Sequence, residues 1–153
     1  MSIEDDVALL DRVPTFHLLG NAAIRVLAIG SEQQEFASGS VLFRAGDASD
    51  CGYVVLRGSF HLSFPGGGKD NGKGDILAGP GALIGELALI VPMARPATAT
   101  AREYASVIRI TRTLFQRVLD SEPDGARRLR DEFALRTSQT ASDLVLVGSR
   151  LTT

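Results

Sequence analysis

The sequence predicts a mainly β fold with flanking helices, an antiparallel β-roll or jelly-roll barrel with N-terminal helices and C-terminal closing helices. Three observations lead there. Between Glu32 and Ile110, short apolar runs alternate with glycine-marked turns at close, regular spacing, as in antiparallel barrels and sandwiches. Before and after that stretch the apolar spacing widens to three and four, the period of a helix. No Pro/Ser-rich linker interrupts the order. The 153 residues therefore read as one domain: helical lead-in 1–31, barrel 32–110, closing helices 111–150. A chain of this length buries roughly 70% of its unfolded surface in a core.

Taken in order, Ser2 with Asp5 three residues on forms a capping box for a helix through Val7, Leu9 and Leu10. A second amphipathic stretch, Leu18 to Ile29, carries Ala22, Ile24, Leu27 and Ala28 and stops at Gly30. Strands follow at Phe36-Ala37, Val41-Leu42-Phe43, Tyr53 to Leu56, Phe60 to Phe64, Ile76-Leu77, Thr98 to Ala101 and Val107 to Ile110. Pro65 to Gly74 reads as a hairpin tip, and Gly79 to Gly85 as a loop. Thr113 to Leu119 forms a short helix, and Ser121, suited to an N-cap, restarts a final helix from Pro123 to about Val147.

Composition narrows the function. A net charge of -2 argues against a duplex-binding surface, and Arg127, Arg128 and Arg130 sit beside Asp124, Asp131 and Glu132 as a solvated helix face. Cys51 is the single cysteine, which excludes an internal disulfide, a thiol pair and a zinc finger. An acidic N-terminus is unlike a secretion signal, and no apolar run approaches a membrane span. The cytoplasm is the expected location. His17 and His61 lack a clustered carboxylate set, so a metal-dependent barrel enzyme is disfavoured, and no Ser/His/Asp grouping marks a catalytic site.

Chemistry concentrates at Gly85-Glu86-Leu87-Ala88-Leu89, with Arg95-Pro96-Ala97-Thr98 following. A helical turn beginning at Glu86 presents unpaired N–H groups to an anion. Gly85 lets the backbone approach closely. Arg95, nine residues beyond the acid, offers a phosphate two parallel hydrogen bonds. Glu86 is then an acceptor for a ribose hydroxyl.

These residues and their spacing resemble the phosphate-binding cassette of cyclic nucleotide-binding domains. The resemblance extends to Val41 to Asp47, Tyr53 to Gly58 and Val107 to Phe115, which are similar to that family's strand-turn, its following strand pair and its last strand with the start of the closing helices. It implies a cAMP or cGMP ligand, no further cofactor, and contacts from Gly85, Glu86, Leu87, Ala88, Arg95, Pro96 and Ala97. Counted from Arg95, the catabolite-activator branch places at Arg136 an arginine that reaches the cassette glutamate. At Thr140 it places a threonine that reads the adenine amino group.

Pro96 departs from the family pattern, which has Ala, Ser or Thr after the arginine. Proline supplies neither an amide N–H nor a hydroxyl. The first loss keeps open a degenerate fold that acts as a ligand-independent interaction module, and the second tilts the ligand toward cAMP over cGMP. Phe133, Thr137, Thr140, Leu144, Val147 and Leu151 repeat at a/d-like spacing, which suits packing on the barrel or a homodimer along this helix. Few residues follow Val147, so the expectation is a stand-alone sensor without a DNA-binding domain, signalling to a protein partner.

Overall fold

The computed structural model describes residues 2–65 and 75–136. Helices α1 (Ile3–Asp11), α2 (Pro14–His17) and α3 (Asn21–Gly30) lead into eight strands. These are β1 (Glu32–Phe36), β2 (Val41–Phe43), β3 (Cys51–Arg57), β4 (Phe60–Ser63), β5 (Ile76–Ala78), β6 (Leu83–Ile84), β7 (Thr98–Ala101) and β8 (Ala105–Thr111). A 3-10 turn at Leu87–Leu89 lies between β6 and β7. Helix α4 (Arg112–Ser121) and a helix over residues 123–136, α5, close the described chain.

The strands form two antiparallel four-stranded sheets, ordered β1-β8-β3-β6 and β2-β7-β4-β5. Among the described residues no ladder joins one sheet to the other. The expected barrel is thus an open two-sheet jelly roll. Alternation along the strands explains how the first sheet is buried on both faces. On β3 and β8, Val54, Ile108 and Ile110 point to one side and pack with Leu10, Phe16, Leu27 and Phe115 of the helices. Tyr53, Val55 and Val107 point to the other and meet Phe60, Ala78 and Ala101 of the second sheet. Successive side chains on a strand face opposite ways, so one apolar strand pair supplies both cores.

The expected capping box is present: the Asp5 N–H donates to Ser2 Oγ at 3.2 Å, and the Ser2 N–H to Asp5 Oδ2 at 3.4 Å. Three expectations change. The Leu18–Ile29 helix begins at Asn21, because Gly20 sits at φ +96° and breaks it from α2. Leu83–Ile84, expected within a loop, pairs with Tyr53 and Val54 as β6; two residues are too few to show a period. Ser121 is the last residue of α4, its hydroxyl donating back to the Val118 carbonyl at 3.1 Å, and Glu122 separates it from α5. Of the a/d-like repeat on the last helix, Phe133 packs partly against the helical core. Thr137, Thr140, Leu144, Val147 and Leu151 lie outside the described residues.

Phe115 is fully buried and its ring lies 6.0 Å from that of Phe16, so it ties α4 to the lead-in helices. Phe115→Ala removes that contact and leaves a cavity, and is expected to lower unfolding free energy by about 3–5 kcal/mol. Urea titration checks this, and an unchanged midpoint would contradict the packing.

Candidate functional site

The cassette is anchored by backbone pairing before any side chain acts. The Arg95 N–H donates to the Asp47 carbonyl and the Gly46 N–H to the Arg95 carbonyl, both at 2.8 Å. The Ala45 N–H donates to Thr98 Oγ1 at 2.9 Å. The Gly46-Asp47 turn therefore pins the Arg95 backbone just ahead of β7. From there its side chain runs inward and is only 5% exposed.

Inside, Arg95 Nη2 donates to the Cys51 carbonyl at 2.8 Å. The guanidinium carbon lies 4.3 Å from the Phe43 ring centre and 5.6 Å from that of Tyr53, within the range of cation–π attraction. Burial, with Cys51 beside it, pushes the Tyr53 phenol up to about 12, so the ring stays neutral beneath the guanidinium. Arg95 Nη1 is buried with no hydrogen-bond partner among the described residues. Among the described residues Arg95 takes part in no ion pair. A buried, half-satisfied cation is costly and is suited to an anion.

Gly85 covers that nitrogen. Its φ is +84°, and a Cβ there would lie 2.5 Å from Arg95 Nη1, so both conformation and space require glycine. The next residues turn at once: the Ala88 N–H donates to the Gly85 carbonyl, and the Leu89 N–H to Glu86, each at 3.1 Å. Such a first turn leaves the N–H groups of Glu86 and Leu87 without partners inside it. Ala88 and Leu89 are buried and Leu87 is exposed.

Glu86 faces the helices. Arg136 Nη1 donates to Glu86 Oε1 at 3.1 Å and Nη2 to Oε2 at 3.4 Å. The Thr15 hydroxyl donates to Oε2 as well. Gly85, Glu86, Leu87, Ala88, Arg95 and Pro96 line one cavity of about 210 Å³, and Ala97 joins Phe43, Leu83 and Arg95 around another of about 130 Å³. Leu83 also borders a cavity of about 770 Å³ that includes Thr15, Glu86, Glu132 and Arg136. That largest volume lies within the range of small-molecule sites. Thr140 lies outside the described residues.

Residues not singled out from the sequence complete the site. Phe43 and Tyr53 were visible only as strand positions. Thr15 is 71 residues from Glu86 and carries no local signal. Arg112 donates from Nε to the Ala88 carbonyl at 2.7 Å and from Nη2 to the Ser49 carbonyl at 2.5 Å, tying the cassette turn to α4. His61 pairs with Asp75 at 3.2 Å, away from these residues, whereas His17, paired with Asp11 at 3.0 Å, borders the largest of these cavities.

Two antiparallel sheets enclose a glycine-covered arginine and a carboxylate that faces a closing helix, an architecture of jelly-roll type. Comparison with known proteins gives the family. Its model, the cyclic nucleotide-binding domain, matches residues 33–122, and the chain belongs to that family. A cyclic nucleotide-binding-like protein from Brucella abortus is 35% identical, with a TM-score of 0.64 over 76% of this chain and 98% of its own. The N-terminal domain of a transcriptional regulator from Streptomyces coelicolor is 31% identical, with a TM-score of 0.75 over 86% of this chain and 94% of that one. A cyclic nucleotide-gated potassium channel of Mesorhizobium japonicum is 29% identical over 88% of this chain and 36% of the channel. The chain spans less than half the length of the curated relatives it matches. Among the described residues no helix is long and apolar enough to cross a membrane.

Gly85→Ala forces a side chain onto Arg95 Nη1 in a left-handed conformation. Strain of roughly 1–3 kcal/mol is expected, seen as a lower melting temperature by scanning calorimetry. An unchanged melting temperature would mean that Arg95 does not pack beneath position 85.

Proposed function

We propose that this chain is a regulatory sensor for a purine 3′,5′-cyclic nucleotide, with cAMP preferred over cGMP. One observation carries the proposal: Arg95 Nη1 is buried, unpartnered and covered by a residue that must be glycine. A cyclic phosphate supplies the acceptor that nitrogen lacks. The N–H groups at the start of the Glu86 turn add donors on the same side. Glu86 accepts from the ribose 2′-hydroxyl while Arg136 grips it from α5, and Thr140 reads the adenine amino group.

Pro96 bears on both affinity and selectivity. Its missing N–H removes one donor to the phosphate, leaving Arg95 and the cassette turn to bind it. Charge-assisted hydrogen bonds contribute about 1.5–3 kcal/mol each. Two or three, with packing, reach the roughly -8 kcal/mol of micromolar binding. Pro96 also lacks the hydroxyl that guanine-preferring members place there, which favours adenine.

The output runs through the closing helices. Ligand on Arg95 and Glu86 biases the 121–147 segment toward one of two positions as a lid, because Arg136 joins that segment to Glu86. A protein partner, or a second copy packing along the last helix, then senses the lid. The same absent amide at Pro96 also supports a second function, a ligand-independent interaction module.

Isothermal calorimetry with both nucleotides separates the two. Micromolar binding of cAMP, weaker binding of cGMP, and about a 100-fold loss for cAMP in Arg95→Ala are expected. No heat from either nucleotide at millimolar concentration would reject the sensor and leave the interaction module. Equal binding by wild type and Arg95→Ala would move the site elsewhere.

A further inference from the structure

Glu86 is held from two directions, and the two holders differ in burial. Arg136 grips both carboxylate oxygens from a side chain that is 42% exposed, stacked 4.4 Å over the Phe133 ring and 3.7 Å from Glu132 Oε2. Thr15 is 4% exposed and sits in α2 between Pro14 and the fully buried Phe16. Its β-branched side chain has little rotameric freedom. The buried, rotamer-restricted constraint on Glu86 therefore comes from the N-terminal helices.

Counting acceptor sites shows what that constraint does. A carboxylate offers about four lone-pair directions. Arg136 takes one on each oxygen, and Thr15 takes another on Oε2. One direction remains, on Oε1. With the other three filled, its aim is set by the position of Thr15.

We propose that Thr15 is a positioning residue for Glu86, and that discrimination in favour of a ligand bearing a ribose 2′-hydroxyl depends on it. This rests on Glu86 being the ribose acceptor of the proposed function. The role of the hydroxyl is to keep the carboxylate pointed. Selectivity for the sugar is then shared between the cassette and a helix 71 residues earlier in the chain. A shift of α2 alters sugar recognition without disturbing Arg95, and ribose binding in turn steadies α2 against the cassette.

The test is calorimetry with cAMP and 2′-deoxy-cAMP on wild type, Thr15→Val and Thr15→Ser. Valine keeps the shape and removes the hydroxyl, whereas serine keeps the hydroxyl. Thr15→Val is expected to weaken cAMP about 3–10-fold, a loss typical of a loosened first-contact group, and to leave 2′-deoxy-cAMP within about twofold. Thr15→Ser is expected to retain the wild-type ratio between the two ligands. Should the valine variant not fold, Thr15→Ala carries the same expectation. On a Glu86→Gln background, Thr15→Val is expected to have no further effect on that ratio. Equal weakening of both ligands, or no change in the ratio, would overturn the role of Thr15 while leaving nucleotide binding intact. Wild type that binds neither ligand would overturn both proposals together.

Discussion

Much of the structure is arranged around one buried cation. Taking a guanidinium out of water is unfavourable unless its donors are met. Among the described residues Arg95 has only Cys51, through its carbonyl at 2.8 Å and its Sγ at 3.4 Å, and two aromatic rings. Those three partners come from different places: Phe43 from the second sheet, Tyr53 and Cys51 from the first. The sandwich has to bring the two sheets together for the arginine to be accommodated at all. Gly85 and the Gly46-Asp47 turn then close over it from opposite ends. The result is a preformed positive site in which loop residues are held against side chains from both sheets.

Glu86 has the complementary task of joining parts that the sheets do not join. It meets α2 through Thr15 and α5 through Arg136, while Arg112 links the same cassette turn to α4. Three segments remote in sequence converge on about one turn of backbone. A change at that turn reaches the lead-in and the closing helices together, through short polar contacts and through Leu89, which is buried in the helical core. Phe133 adds an apolar tie, its ring 4.4 Å below the Arg136 guanidinium.

The period-two stretches and their glycines located six of the strands closely. By contrast, β1 runs over Glu32–Phe36 and meets the expected Phe36-Ala37 only at Phe36, because its remaining residues are polar and are fixed by pairing with β8. β6 was missed because Leu83–Ile84 spans two residues and its role is fixed by pairing with Tyr53 and Val54. The open sandwich was likewise not separable from a closed barrel, since closure depends on pairing between strand edges rather than on pattern. In the candidate site, Gly85, Glu86 and Arg95 were legible because their chemistry is local and their spacing is short. The Arg136–Glu86 contact came from family resemblance and is present in the structure. Thr15 and Arg112 were invisible for the opposite reason: each acts through a tertiary contact that no window of sequence contains.

The central claim is that Arg95 Nη1 is the anchor for a cyclic phosphate. A crystal structure of the protein with cAMP tests it most directly. The account predicts a phosphate oxygen within hydrogen-bond distance of Nη1, with Nη2 still on the Cys51 carbonyl and the ribose against Glu86. A bound nucleotide whose phosphate lies away from Arg95, with Nη1 still unpartnered beneath Gly85, would contradict it.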